Sequence, residues 1–128
     1  MNKKVEDYLQ EGIYGAKEIN PQEKKMFLST FRERVELALT SGQVMQDHSY
    51  QEVITSLQKS SVKMYVNGNV PYTYLSKYIA LANKFNVPFT IVQNKEAQTP
   101  IGLVVAHAKA IDKENIFVKD TIFNENMK

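Results

Sequence analysis

The sequence predicts a single α/β domain in which helices cover both faces of a β-sheet. Its 128 residues are the length of one domain, and such a chain buries roughly two-thirds of its unfolded surface on folding. Hydrophobic residues make up 43% of the chain and charged residues 23%, as in ordinary globular proteins. Segments with helical periodicity alternate with short segments rich in strand-forming residues, which predicts two consecutive β-α-β crossovers.

The first predicted element is a long helix near the N-terminus. Asn20, Pro21 and Glu23 together form a helix start: a capping side chain, a proline at the first helical position and a glutamate that reaches back to the cap. Apolar residues then recur at helical spacing as far as the Ser-Gly pair at positions 41 and 42. This pattern predicts one helix over residues 21–40.

Two further helices and four strands follow in the prediction. The strands span residues 43–45, 62–66, 87–92 and 102–111, and the helices span residues 50–57 and 71–85. Valine, isoleucine and aromatic residues favour the strands, and Pro88 stands near the start of the third one, where a missing N–H matters least. The last segment, residues 102–111, also contains alanines, so a helix remains an alternative there.

The ends of the chain complete the predicted architecture of one domain, residues 1–128. We interpret residues 1–19 as an N-terminal arm, residues 116–118 as a docked extension and residues 119–128 as a frayed tail. The order is an N-terminal helix followed by β-α-β-α-β-β. Right-handed crossovers place their two helices on one face of the sheet, and the first helix covers the other face. A three-layer α/β/α sandwich follows.

Composition and motifs exclude several classes of function. The chain has no cysteine, which excludes disulfides, thiolate metal sites and thiol nucleophiles. His48 and His107 lack metal-ligand spacing, so neither a metal nor a cofactor is expected. Nucleotide-binding and hydrolase motifs are missing as well, so we assign no catalytic residues and favour a non-enzymatic role. The longest apolar stretch, residues 101–106, is too short to cross a membrane and the first residues lack a signal-peptide core, which predicts a cytoplasmic protein.

Four blocks of the sequence resemble the YueI-like family of Firmicutes proteins: VEDYLQEGIYGAKEINPQEKKMFLSTFRERVELALTSGQV, YVNGNVPY, NKFNVPFTIV and IGLVVAHAKAI. This family has no assigned activity, so the resemblance implies a fold and no mechanism. The implied fold is a mixed four-stranded sheet akin to that of Bacillus chorismate mutase and of the kink-turn-binding ribosomal proteins. Chorismate mutase activity requires arginines that converge on a dicarboxylate, whereas Arg32 and Arg34 fall on one predicted helix, so that activity is not expected.

The leading site hypothesis concerns two loops that follow predicted parallel strands. Residues 67–72 lie between a strand and a helix start, where open α/β sheets bind ligands, and the next parallel strand ends at residues 93–95. The predicted ligand-binding residues are Asn67, Asn69, Tyr72, Thr73, Asn94 and Lys95. They favour a non-catalytic binding or regulatory module for a small anionic ligand or a protein partner, although Asn-Gly turns are also ordinary loop chemistry.

The alternative hypothesis is RNA binding through a basic, tyrosine-rich stretch. Residues 53–95 contain five lysines and no acidic residue. Lys63 and Tyr65 share one face of a predicted strand, and lysines interleaved with aromatic residues can hold single-stranded bases. A solvated positive face is the simpler explanation of the same pattern.

Overall fold

The computed structural model describes residues 21–93 and 98–127. The predicted arm, residues 1–19, and the helix cap Asn20 lie outside these ranges. The described residues form five α-helices, α1 to α5, one 3-10 helix and four strands, β1 to β4. In chain order they are α1 (Pro21–Met26), the 3-10 helix (Arg32–Arg34), β1 (Val35–Thr40), α2 (Ser41–Val44), α3 (Gln51–Leu57), β2 (Val62–Asn67), α4 (Tyr72–Lys84), β3 (Phe89–Val92), β4 (Ile101–His107) and α5 (Thr121–Asn126).

The strands of the described chain form one mixed sheet in the order β1-β4-β2-β3. β4 is antiparallel to both β1 and β2, and β2 is parallel to β3, so β1, β2 and β3 all run in the same direction. The predicted α/β class and mixed four-stranded sheet are thus confirmed. Every residue of β1 is buried, because both faces of this strand are covered.

Helices α3 and α4 pack on the same face of the sheet, as two consecutive crossovers require. Their apolar residues form one core with those of the sheet, and its members include Val53, Leu57, Met64, Leu75, Tyr78 and Leu103. The opposite face has a second core, to which Phe27, Leu28 and Ile116 contribute from outside the sheet. Among the described residues, this face is therefore covered by a short helix and extended chain rather than by the predicted long helix.

The predicted helix over residues 21–40 is wrong beyond Met26. Leu28 and Ser29 take φ angles of 54° and 78°, left-handed conformations that a helix cannot continue through. This backbone costs of order 1–3 kcal/mol per residue. Leu28 is fully buried, and burial of a leucine side chain contributes roughly 1.5–3 kcal/mol, which offsets the strain. The chain then turns into β1, which is the first strand of the sheet.

The predicted strand at residues 43–45 is also wrong, because this segment belongs to helix α2. Thr40 caps it: the Gln43 N–H donates to Thr40 Oγ1 (3.1 Å), and the Thr40 N–H donates to Gln43 Oε1 (2.9 Å). This reciprocal capping box satisfies two helix-terminal donors within a single turn.

The later elements agree with the prediction, except for the exact residues at which they begin and end. Helices α3 and α4 and strands β2, β3 and β4 are confirmed, with β4 ending at His107. Asn86, which follows the end of α4, adopts a φ of 58°, the left-handed conformation that ends many helices. The docked extension is confirmed as well, since the Ala38 N–H donates to the Ile116 backbone oxygen (2.8 Å).

The predicted frayed tail at residues 119–128 is wrong over most of its length. Residues Thr121–Asn126 form helix α5, and Asp120 caps it by accepting from the Phe123 N–H (2.9 Å). The same carboxylate also accepts from Gln43 Nε2 (3.0 Å) and from the Tyr50 hydroxyl. These bonds tie the helix to the body of the domain, which composition alone did not indicate.

Candidate functional site

A cavity of about 320 Å³ lies where the 3-10 helix, the start of β2 and the end of β4 meet. Its polar lining residues are Thr30, Arg34, Ser61, Lys63, Tyr65 and His107. We call it the Arg34 cavity. Among the described residues, none that lines it is acidic, whereas larger cavities elsewhere in the described chain are lined by carboxylates, among them Glu33 in one and Glu36 in another. The described lining of the Arg34 cavity therefore carries positive charge.

Two features of the backbone assemble the cavity. Strand alternation puts Lys63 and Tyr65 on the same face of β2, and Lys63 pairs with Ala106 in β4, next to His107. On the other side, the Arg34 N–H donates to the Phe31 backbone oxygen (3.0 Å), which closes the 3-10 turn. The side chains of Phe31 and Arg34, three positions apart in this turn, therefore lie side by side.

Arg34 is held by stacking rather than by an acidic partner. Its guanidinium carbon lies 4.8 Å from the centroid of the Phe31 ring. Nε of Arg34 is buried and has no hydrogen-bond partner, and the described residues offer the guanidinium no ion pair either. A guanidinium has five N–H donors in a planar fork, and stacking engages its face, so its edge keeps unused donors.

Lys63 provides a second cation at the same cavity. Its Nζ lies 5.3 Å from the centroid of the Tyr65 ring, a cation–π distance. No carboxylate of the described residues pairs with it. Because an aromatic ring positions a cation without neutralising it, the charges of Arg34 and Lys63 both remain available to a ligand.

A buried carboxylate contacts the histidine at the end of β4. In the pairing of β1 with β4, Val35 faces Ala106 and Leu37 faces Val105, so Glu36 is the extra residue of a β-bulge. Such bulges change the direction of a side chain. Here Glu36 is only 6% exposed, and its Oε1 lies 2.8 Å from Nε2 of the histidine at the end of β4.

Glu36 is surrounded by positive groups. Lys113 Nζ donates to its Oε2 (2.8 Å), and Lys59 Nζ lies 3.8 Å from the same oxygen. Burial opposes ionisation of this carboxyl, but the hydrogen bonds from Lys113 and His107 outweigh it and lower its pKa below the ordinary value. Glu36 is consequently a carboxylate at neutral pH, and the Nε2 of His107 carries a proton that it donates.

The loops predicted as a ligand site share one edge of the sheet. The Gly68 N–H donates to the Val92 backbone oxygen (2.7 Å), so the turn after β2 touches the end of β3. Within that turn, Asn67 Nδ2 donates to the Ile101 backbone oxygen (3.0 Å), and its Oδ1 accepts from the Asn69 N–H (2.8 Å). The Asn67 side chain is 2% exposed and already bonded to backbone, so it supports the fold.

The remaining residues of that predicted site have different placements. Tyr72 is 63% exposed at the first position of α4, and Thr73 follows it, also exposed. Asn94 and Lys95 lie outside the described residues, so a pocket between the two loops stays a prediction. The alternative pair is brought to a cavity: Lys63 and Tyr65 line it together with Arg34.

Sequence reasoning missed the position of Arg34 at the cavity and the bond between Glu36 and His107. The helix predicted over residues 21–40 contains both Arg34 and Glu36, whereas the structure has a 3-10 helix and β1 there. His107 falls in the strand predicted over residues 102–111, and it is the last residue of β4. The bond of this histidine to Glu36 depends on the bulge, and a bulge has no signal in a single sequence.

Two features are absent from the residues that the structure describes. No group of three or more histidine, cysteine, aspartate or glutamate side chains within residues 21–93 and 98–127 has the arrangement needed to hold a metal ion. No helix in these ranges has the length and apolar character needed to span a bilayer.

Comparison with known proteins identifies the family. The family described as "Protein of unknown function (DUF1694)" matches residues 2–117. The chain belongs to this family. It is 41% identical over 125 residues to "Uncharacterized protein YueI" of Bacillus subtilis (strain 168), with 97% of this chain and 95% of the relative covered. The fold is similar to the crystal structure of the YueI protein from Bacillus subtilis, with a TM-score of 0.80 and 40% identity over 90% of this chain and 91% of that one.

These similarities confirm the resemblance to the YueI-like family that the sequence blocks indicated. They extend over nearly the whole chain and support one fold for both proteins. Neither description of YueI includes an activity, so any function has to be argued from the side chains of this chain.

Proposed function

We propose that this protein is a non-catalytic binding module for a small anionic ligand, and that the ligand binds in the Arg34 cavity. The observation that carries the proposal is the guanidinium of Arg34, half-buried, stacked on Phe31 and without an acceptor for Nε. A buried donor without a partner costs about 1–3 kcal/mol. A ligand oxygen at this position would supply the missing acceptor.

The chemistry of the cavity favours a phosphate, sulfate or carboxylate group. The Nε edge of an arginine offers two parallel N–H donors, which match two oxygens of such a group. Lys63 adds a second positive charge, and the described residues that line the cavity include no carboxylate that would repel an anion. Its volume of about 320 Å³ is at the lower end of small-molecule sites, which supports a small ligand over a folded protein partner.

The predicted loop site is a second location for the same kind of ligand. Tyr72 and Thr73 are exposed at the start of α4, and the loops after β2 and β3 share an edge. The Arg34 cavity is preferred because its cations lie within the described residues and have no acidic partner there. Substitutions at Asn69 and Lys95 distinguish the loop site from the cavity.

Binding of inorganic sulfate, measured by calorimetry at low ionic strength, tests the proposal. Arg34→Met should weaken sulfate binding about tenfold or more, because hydrogen bonds to charged groups contribute roughly 1.5–3 kcal/mol. Arg34→Lys keeps the charge but loses the two-donor edge, so it should also bind weakly. The matched control is Arg32→Met, since Arg32 belongs to the same 3-10 helix but donates to the Glu114 backbone oxygen. Equal affinity of the Arg34 and Arg32 variants would contradict the proposal.

RNA binding through Lys63 and Tyr65 is the competing explanation of the same cations. Anisotropy titrations with a short single-stranded RNA at low salt distinguish RNA binding from binding of a small anion. Under our proposal, sulfate binding depends on Arg34, and RNA binds no more tightly to wild type than to Lys63→Ala or Tyr65→Ala. A salt-dependent RNA affinity that either substitution weakens would favour the RNA function instead.

A further inference from the structure

The two cations of the Arg34 cavity stand on opposite sides of strand β4. In the sheet, Ala106 of β4 pairs with Val35 of β1 on one side and with Lys63 of β2 on the other. Arg34 immediately precedes Val35 in the chain. Because neighbouring strands lie about 4.8 Å apart, the backbone segments that carry the two cations are separated by about 10 Å.

Each cation is held on its own side of β4. The Arg34 guanidinium stacks on Phe31 of the same turn, with 4.8 Å between its central carbon and the ring centroid. Lys63 Nζ lies 5.3 Å from the ring centroid of Tyr65, which follows two residues later in β2. Since each side chain rests on a ring of its own segment, the two charges are kept apart. A compact anion bound to one of them is therefore attracted by the other only over a longer distance.

The rest of the lining follows the same division into two ends. Thr30 lines the cavity from the segment before β1, and Ser61 lines it from the position before β2. No described residue makes a hydrogen bond to either hydroxyl group. Between these ends β4 contributes Ala106, which shares the face of Lys63 because directly paired residues lie on the same side of a sheet. Each end thus has a cation and a hydroxyl-bearing residue, and the middle is apolar.

We propose that the Arg34 cavity binds an organic molecule with two separate anionic groups, one of which contacts Arg34 and the other Lys63. This inference rests on the proposed function, and it narrows the ligand from a small anion in general to a dianion with a short uncharged spacer. A hydrocarbon spacer suits the apolar middle of the cavity at Ala106. Once the first group is bound, the second meets its cation at a high effective concentration, because both belong to one molecule.

Alkanedisulfonates are the suitable probes, because sulfonate groups stay ionised at every pH at which the protein is folded. Calorimetry at pH 7 and low ionic strength compares ethane, propane and butane with a sulfonate at each end against sulfate and methanesulfonate. Sulfate has the same total charge as a disulfonate but on one centre, and methanesulfonate represents a single end. At least one disulfonate should bind wild type about tenfold more tightly than either reference anion, because it contacts both cations.

Substitution at either end should remove this advantage. In Arg34→Met and in Lys63→Met, the best disulfonate should bind at most about twofold more tightly than methanesulfonate, the factor expected when either of two equal groups can occupy the one remaining end. Lys84→Met is the matched control, because it removes a lysine with a similar aromatic contact on α4, and it should keep the full advantage. Each ratio compares two ligands on the same protein, so a loss of folded protein affects both alike.

The outcomes separate this inference from the proposed function. If sulfate binding needs Arg34 but no disulfonate binds more tightly than sulfate, the assignment of two anionic groups is wrong and the anion site at Arg34 stands. The same conclusion follows if the advantage of the disulfonate survives in Lys63→Met. If Arg34→Met binds sulfate and the disulfonates as wild type does, the proposed function fails, and this inference fails with it.

Discussion

Replacement of Arg34 by methionine should stabilise the ligand-free protein while it removes anion affinity. The arginine has a buried Nε without an acceptor, and such a donor costs about 1–3 kcal/mol. Methionine keeps an unbranched apolar side chain against Phe31 and has no donor to satisfy. The substitution does lose the cation–π contact, which contributes roughly 0.5–1 kcal/mol at such distances.

The difference between these effects predicts a net gain of up to about 2.5 kcal/mol in the free energy of unfolding. For a domain of this size, 1 kcal/mol corresponds to a shift of about 3–5 °C in Tm. Urea unfolding in a chloride buffer free of sulfate and phosphate measures the gain, with Arg32→Met as the control. Addition of sulfate should then stabilise wild type and leave Arg34→Met unchanged.

A destabilisation of Arg34→Met by more than about 1 kcal/mol would refute this reasoning, because it would mean that Arg34 supports the fold. A stabilised variant with unchanged sulfate affinity would also contradict it. Residues kept at a cost to stability are typical of binding sites. A gain in the free energy of unfolding together with a loss of sulfate affinity is therefore the informative result.

Three further predictions concern other parts of the molecule. Gly102→Ala should lower the free energy of unfolding by about 2 kcal/mol or more in urea titrations, because its Cβ would lie 2.7 Å from Ser41 Cα, a backbone atom. Asp120→Asn should remove part of the acid sensitivity of unfolding. Although desolvation acts in the other direction, hydrogen bonds from Tyr50 and its neighbours lower the pKa of Asp120, so its stabilisation is present at neutral pH and lost as pH falls through its folded pKa; identical pH profiles of stability for variant and wild type would contradict this. Lys63→Met should weaken sulfate binding several-fold, whereas Lys84→Met, which removes a comparable lysine–aromatic contact on α4, should leave calorimetric affinity unchanged.

The regular parts of the fold could be predicted because local signals and tertiary packing agree there. In α4, helical spacing of apolar residues coincides with the face that is buried, and Asn86 marks the end of the helix. In β2, strand-forming residues alternate between two covered faces, and the burial follows this alternation over most of the strand. Consistent signals of this kind leave little room for a different structure.

The first third of the described chain could not be predicted in the same way. Val35, Ala38 and Leu39 fit a helical stripe, but strand alternation fits Val35, Leu37 and Leu39 equally well. Leu28 and Ser29 decide between helix and strand, because both take left-handed φ angles that end the helix, and the burial of Leu28 stabilises this conformation. Such a conformation is unusual for leucine, so the sequence indicates a helix where the structure has a strand.

For a related reason, only part of the candidate site could be predicted from the sequence. Lys63 and Tyr65 share a face by strand alternation, and this pair was predicted. Arg34 reaches them only because the helix ends early, and His107 is oriented only because the bulge at Glu36 directs a carboxylate toward it. Each of these contacts depends on tertiary structure, so the spacing of the residues along the sequence does not predict it.

The central claim can be tested most directly by NMR of the arginine side chains. The chain contains two arginines, Arg32 and Arg34, so two Nε–H signals are expected. On titration with sulfate, the Arg34 signal should shift with the same saturation as the calorimetric isotherm, while the Arg32 signal stays in place. An Arg34 signal that does not move as sulfate binds would contradict the proposed site.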